Sequence, residues 1–89
     1  MGRERLFEIA NLAMDALELF WEENIHHCIE VTVGTHPEVW IHENTDKANG
    51  RFIRYYGHST LGHEYDINFN DAEKHIRRLM EEVMNGSNN

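Results

Sequence analysis

The stretch Ile25-His26-His27-Cys28-Ile29-Glu30-Val31-Thr32-Val33 decides the fold, because here the hydrophobic period changes to two. Ile25, His27, Ile29, Val31 and Val33 fall on one side; His26, Cys28, Glu30 and Thr32 fall on the other. Alternation rich in β-branched residues is the pattern of a half-buried strand. Gly34-Thr35-His36-Pro37 follows as a turn, since Pro37 cannot donate to a ladder. Val39 to Glu43 reads as a second strand, with Val39 and Ile41 opposite Trp40 and His42. Asn44 to Gly50 is a polar hairpin loop in which Asn49-Gly50 offers the positive φ such turns use. Arg51 to Tyr56 gives a third strand, Phe52, Arg54 and Tyr56 alternating with Ile53 and Tyr55. Gly57 to Gly62 breaks it, and Glu64 to Phe69 alternates again, which predicts a fourth strand.

Upstream of the strands the period is helical, from about Arg3 to Glu23. On a wheel of about 100° per residue, Glu4, Glu8, Asn11, Asp15, Glu18 and Glu22 fall within an arc of about 80°. The remaining positions from Leu6 to Trp21 are apolar, an arc of about 240° against a usual stripe somewhat over 100°. Such a helix has more apolar surface than one sheet covers, so it should touch two partners: its own sheet, and a second helix or another chain. At the other end, Asn70 reads as an N-cap with Glu73 completing a capping box. Ala72, Ile76, Leu79, Met80, Val83 and Met84 then form one apolar face, Asn85-Gly86 closes the helix, and 86–89 is a frayed tail. Helix, strands, helix over 1–89 makes one α+β domain: a two-layer sandwich, an antiparallel three- to four-stranded meander with both helices on one face.

The 89 residues carry sixteen acids, eight bases and a net charge of −8. The asymmetry is sharper than the total. Met1 to Asp46 holds ten acids and two bases, 2 − 10 = −8, whereas Lys47 to Asn89 holds six of each and sums to zero. This balance argues against direct binding to nucleic acid, which needs clustered Lys and Arg. Arg51, Arg54, Lys74, Arg77 and Arg78 could form a local patch, but helix-surface arginines are more often solvated or paired. An acidic face suits a basic protein partner by steering and complementarity. Cys28 is alone, so no internal disulfide forms and a reducing, cytoplasmic setting is expected. No apolar run approaches 18 residues, and Glu4, Glu8 and Asp15 interrupt any leader-like start, so no membrane role is expected.

Seven histidines invite a metal reading, because zinc takes imidazole donors. None of them has a diagnostic spacing, and a second Cys is lacking. His42, His58 and His63 are the residues best placed to meet, with no cofactor otherwise implied. Cys28 and His27 are strand neighbours that point apart, and Ser59 lacks the Gly-x-Ser-x-Gly turn, so a nucleophilic enzyme is not expected. On the uncovered sheet face the expected residues are Trp40, His42, Tyr55 or Tyr56, Glu30 and Cys28. An exposed Trp and Tyr there would be protein-binding anchors or a stacking platform.

Helix–three strands–helix is also the element order of double-stranded RNA-binding domains, but the basic run of their second helix is missing here. In size, acidity and element order the chain looks like some small phage-encoded inhibitors of bacterial defence nucleases, the anti-CRISPR proteins. That likeness implies an acidic face presented in place of nucleic acid. The expected function is thus a small acidic protein-binding module or inhibitor using Glu4, Glu8, Asp15, Glu18, Glu22, Trp40 and Tyr55, the charge extended by Glu23, Glu30, Glu38 and Glu43. The alternatives are a small-ligand or metal-binding domain on the outer sheet face and the His58/His63 loop, or a homodimer held by the wide apolar helix.

Overall fold

The computed structural model describes residues 2–33, 37–44, 50–56 and 62–86, and the side chains of 4–33, 37–44, 50–55 and 69–86. The order is α1 (Gly2–Glu22), β1 (Cys28–Thr32), β2 (Glu38–Glu43), β3 (Arg51–Tyr56) and α2 (Gly62–Met84). The strands form an antiparallel meander in the order β1-β2-β3. This is the expected α+β arrangement with three strands. The fourth strand expected at Glu64–Phe69 is instead the beginning of α2. Tyr65, Ile67 and Phe69 fit a period of two, but Tyr65, Phe69, Ala72 and Ile76 fit a helix equally well. Once the apolar face from Phe69 onward nucleates α2, each residue added upstream gains a hydrogen bond without a new nucleation cost. Asn70 and Glu73 are accordingly interior helix residues, not a cap.

Register assigns the two sheet faces. Ile29 pairs with Ile41 and Ile41 with Ile53; Val31 pairs with Val39 and Val39 with Tyr55; Glu43 pairs with Arg51. These residues share the face under the helices, where Ile29, Val39 and Ile41 are buried. α1 contributes Leu6, Ile9, Ala13, Ala16 and Phe20 to the same core, and α2 contributes Phe69, Ala72, Ile76 and Leu79. Each large side chain so buried stabilises the domain by roughly 1.5–3 kcal/mol. α1 and α2 pack on each other as well as on the sheet, α1 beside β1 and α2 beside β3. Arg5 ties the helices together: it donates to Glu8 at 2.9 Å and to Glu73 at 2.6 Å, and also to Asn70.

α1 stops in a Schellman turn. Asn24 adopts φ 59°, its N–H donates to the Trp21 carbonyl at 3.1 Å, and Ile25 N–H donates to the Phe20 carbonyl at 2.7 Å. Ile25 therefore belongs to the cap and packs on the core, and β1 begins only at Cys28. α2 ends as expected at Asn85-Gly86, with Gly86 at φ 81°. Gly50, by contrast, does not take the positive φ expected of it. What it supplies is room: a Cβ there would lie 2.6 Å from the Glu43 carbonyl oxygen and would overlap the His42 ring. The expected turn at 34–36, the loop at 45–49, the break at 57–61 and the tail at 87–89 lie outside the described residues.

Candidate functional site

Three surfaces follow from this frame. On α1 the buried positions Leu6, Ile9, Ala13, Ala16 and Phe20 define the inward direction. Phe7, Met14 and Trp21 lie to one side of it, spaced by seven residues, and remain 57%, 57% and 84% exposed. Ala10 and Leu17, half-buried, fall between them on the wheel. The stripe directly borders the acidic seam, because seven residues advance a helix by only about 20° short of two turns. Glu4, Glu8, Asn11, Asp15, Glu18 and Glu22 are all exposed, and of the acids only Glu8 has an ion pair among the described residues, to Arg5 at 2.9 Å. At the C-terminal end of the stripe a groove of about 290 Å³ opens between Leu17, Trp21, Ile25 and His26. His27 closes its floor. Its Nδ1 accepts from the Asn44 backbone N–H at 2.9 Å, its ring meets Phe20 edge-on, and burial lowers its pKa.

The outer sheet face holds Trp40, but not Tyr55. Trp40 donates to Glu38 at 2.6 Å, meets Phe52 edge-on at 5.0 Å and carries the Arg54 guanidinium 5.0 Å above its ring. Phe52 is 54% exposed beside it, and His42 adds a second edge contact to Phe52. This cluster is on the side of the sheet away from the helices, so one flat partner surface cannot cover both Trp40 and the α1 seam. Tyr55 faces inward beneath α2, because register places it with Val39. Of the expected Tyr55 or Tyr56, Tyr55 is thus turned away from Trp40, whose neighbours on the outer face are Phe52 and Arg54; Tyr56 pairs with Glu38, and its side chain lies outside the described residues.

Tyr55 belongs to a polar relay that the sequence does not announce. Its hydroxyl lies 2.8 Å from His75 Nδ1, His75 Nε2 bonds the Glu43 carboxylate, and Arg78 donates to Glu43 at 3.1 Å. Glu43 and His75 are both buried, so Glu43 is no part of an exposed acidic seam. Burial pushes the Glu43 carboxyl up, but the bond from His75 and the charges of His75, Arg78 and Arg51 outweigh it and hold it below its ordinary value. Burial lowers the His75 imidazole, against the opposing pull of Glu43. A carboxylate only accepts, so the proton of the neutral ring sits on Nε2 and the bare Nδ1 accepts from the Tyr55 hydroxyl. Burial, with Asp71 nearby, raises the Tyr55 pKa and keeps it a phenol. The array has the outline of a hydroxyl–His–carboxylate triad, yet its hydroxyl is held protonated, the opposite of an activated nucleophile. Spacing conceals it, since its members come from β2, β3 and α2, 12 and 20 residues apart.

Of the metal candidates, His42 faces outward against Phe52, and the side chains of His58 and His63 lie outside the described residues. Among the described residues, no three His, Cys, Asp or Glu side chains converge as metal ligands, and no helix is long and apolar enough to cross a membrane. No protein-family model matches the sequence, and no curated protein or solved structure is significantly similar to it.

Proposed function

We propose that this chain is a non-enzymatic protein-binding module that docks a basic partner surface along α1. One observation carries the reading: Phe7, Met14 and Trp21 stand exposed in a single stripe, and an acidic seam lies along its edge. The stripe supplies desolvated anchors, and Trp21 is of the residue type that most often dominates such interfaces. The seam of Glu4, Glu8, Asp15, Glu18 and Glu22 supplies steering and register, acting more on the association rate than on raw affinity. The best-matched partner is an amphipathic helix with apolar residues at heptad spacing and Lys or Arg beside them. On a nucleic-acid-binding protein the same docking would fill the phosphate-binding groove and inhibit it. Several small phage anti-defence proteins, a class the chain resembles in size and acidity, present acidic faces in place of nucleic acid.

Self-association through the same stripe is the competing occupant. A two-fold pair of α1 helices would bring two acidic seams together, so a dimer should strengthen with salt as repulsion is screened. A basic partner behaves in the opposite sense. The test uses the Trp40→Phe protein, in which Trp21 is the remaining indole, and a synthetic leucine–lysine heptad peptide as probe. Docking should shift Trp21 emission to the blue and weaken as salt rises. Reversal of charge at Glu8, Asp15 and Glu18, or Met14→Ser, should weaken it at least tenfold without loss of helicity. Unchanged affinity in both variants would reject α1 as the docking face. Light scattering at low and high salt, without peptide, separates the dimer.

A further inference from the structure

We infer that the cavity between the edge strand β3 and α2 is a binding site for a small hydroxylated phosphomonoester. The cavity has a volume of about 380 Å³, within the range of small-molecule sites. Arg51 and Tyr55 line it from β3, and Asp71, Lys74, His75 and Arg78 line it from α2. The chain as a whole is acidic, with eight bases, yet three of them converge on this cavity. Nothing on the rest of the described surface gathers cations in this way: Arg5 and Arg77 are committed to Glu73, and Arg54 sits on the outer face above Trp40.

The three cations are held differently. Arg78 is anchored, donating to the buried Glu43 at 3.1 Å and lying 3.8 Å from Glu82. Arg51 and Lys74 are exposed and have no ion pair within 4.0 Å among the described residues. Two uncommitted cations beside an anchored one suit a compact dianion, to which Arg and Lys donate charge-assisted hydrogen bonds. A Debye length of about 8 Å at physiological salt confines the repulsion of the distant α1 seam.

Tyr55 specifies the other half of the ligand. Its proton is engaged by His75, so the phenol oxygen has only lone pairs left for a ligand in the cavity that Tyr55 lines. Asp71 lines the same space as a second acceptor. A bare oxyanion leaves both without a donor, whereas a phosphomonoester bearing a hydroxyl supplies one. The relay through His75 and Glu43 makes Tyr55 a fixed acceptor, since the carboxylate dictates the tautomer that dictates the phenol's direction. This site shares no residue with the α1 docking face, so either reading can fail alone.

The experiment is a titration of amide resonances with glycerol 3-phosphate and, separately, sulfate, a dianion without a donor, at ionic strength held constant with chloride. Saturable shifts are expected at Arg51, Tyr55, Lys74 and Arg78, with glycerol 3-phosphate binding the more tightly. Arg51→Ala with Lys74→Ala, both exposed positions, should weaken each ligand by about tenfold or more. Tyr55→Phe should weaken glycerol 3-phosphate and leave sulfate nearly unchanged. Linear, non-saturating shifts, or saturation that survives the double alanine variant, would overturn the site. Equal loss of both ligands in Tyr55→Phe would overturn the assignment of a hydroxyl to the ligand.

Discussion

His75 of α2 and Glu43 at the end of β2 share a buried hydrogen bond, Nε2 to carboxylate, and this is the main polar tie between the second helix and the sheet. Its polarity sets the rest of the relay: Nε2 donates, Nδ1 accepts from Tyr55, and Arg78 closes the remaining side of the carboxylate. Among the described residues no buried side-chain nitrogen or oxygen lacks a partner. Such a cluster rigidifies a small core but is costly to break, because each member left alone is a desolvated polar group.

That cost makes stability depend on pH. His75 and His27 both titrate below the ordinary histidine value of 6.5, each mainly because burial disfavours the charged ring. A depressed folded-state pKa means the unfolded chain binds protons first. The contribution is therefore complete above about pH 6.5 and is lost as pH falls through the folded values. Glu43 and Glu73, held below 4.5 by their His and Arg partners, add a second loss further into acid. Urea midpoints from pH 8 to pH 4 should fall first below about 6.5, and His27→Gln with His75→Gln should flatten that first limb. A midpoint level between pH 8 and pH 5.5 in the natural sequence contradicts this account.

Gly50→Ala should destabilise the β2–β3 hairpin even though no positive φ is at stake. The new methyl would press on the Glu43 carbonyl, which is backbone and cannot swing away. We expect a loss of about 1–3 kcal/mol, the usual cost of overpacking, read from thermal or urea unfolding. A loss under about 0.3 kcal/mol would show that the two strand ends can part freely.

Phe69 and Phe7 provide a contrast of burial at constant chemistry. Phe69 is fully buried between α2 and the core, so Phe69→Ala should cost about 3–5 kcal/mol, close to the whole stability of so small a domain. Phe7 is 57% exposed on α1, and Phe7→Ala should cost well under 1 kcal/mol while leaving the circular dichroism spectrum unchanged. A large loss at Phe7 would mean that the stripe is already covered in solution, which a change of apparent mass in that variant would reveal.

By itself the sequence determined the elements wherever one periodicity was unambiguous. The α1 wheel, the alternation from Cys28 to Thr32 and the three-strand meander were legible because side-chain period is a local property of the backbone. Glu64 to Phe69 was not, because Tyr65 and Phe69 satisfy either period while Ile67 fits only the strand's, and only the helix continuing through Phe69, Ala72 and Ile76 decided between them. Only the tertiary structure decided which face each apolar residue serves. It left Phe7, Met14 and Trp21 in water, turned Tyr55 inward and gathered Arg51, Lys74 and Arg78 around one cavity. Local spacing cannot foresee a contact between β2, β3 and α2, since strand register and helix docking bring those residues together.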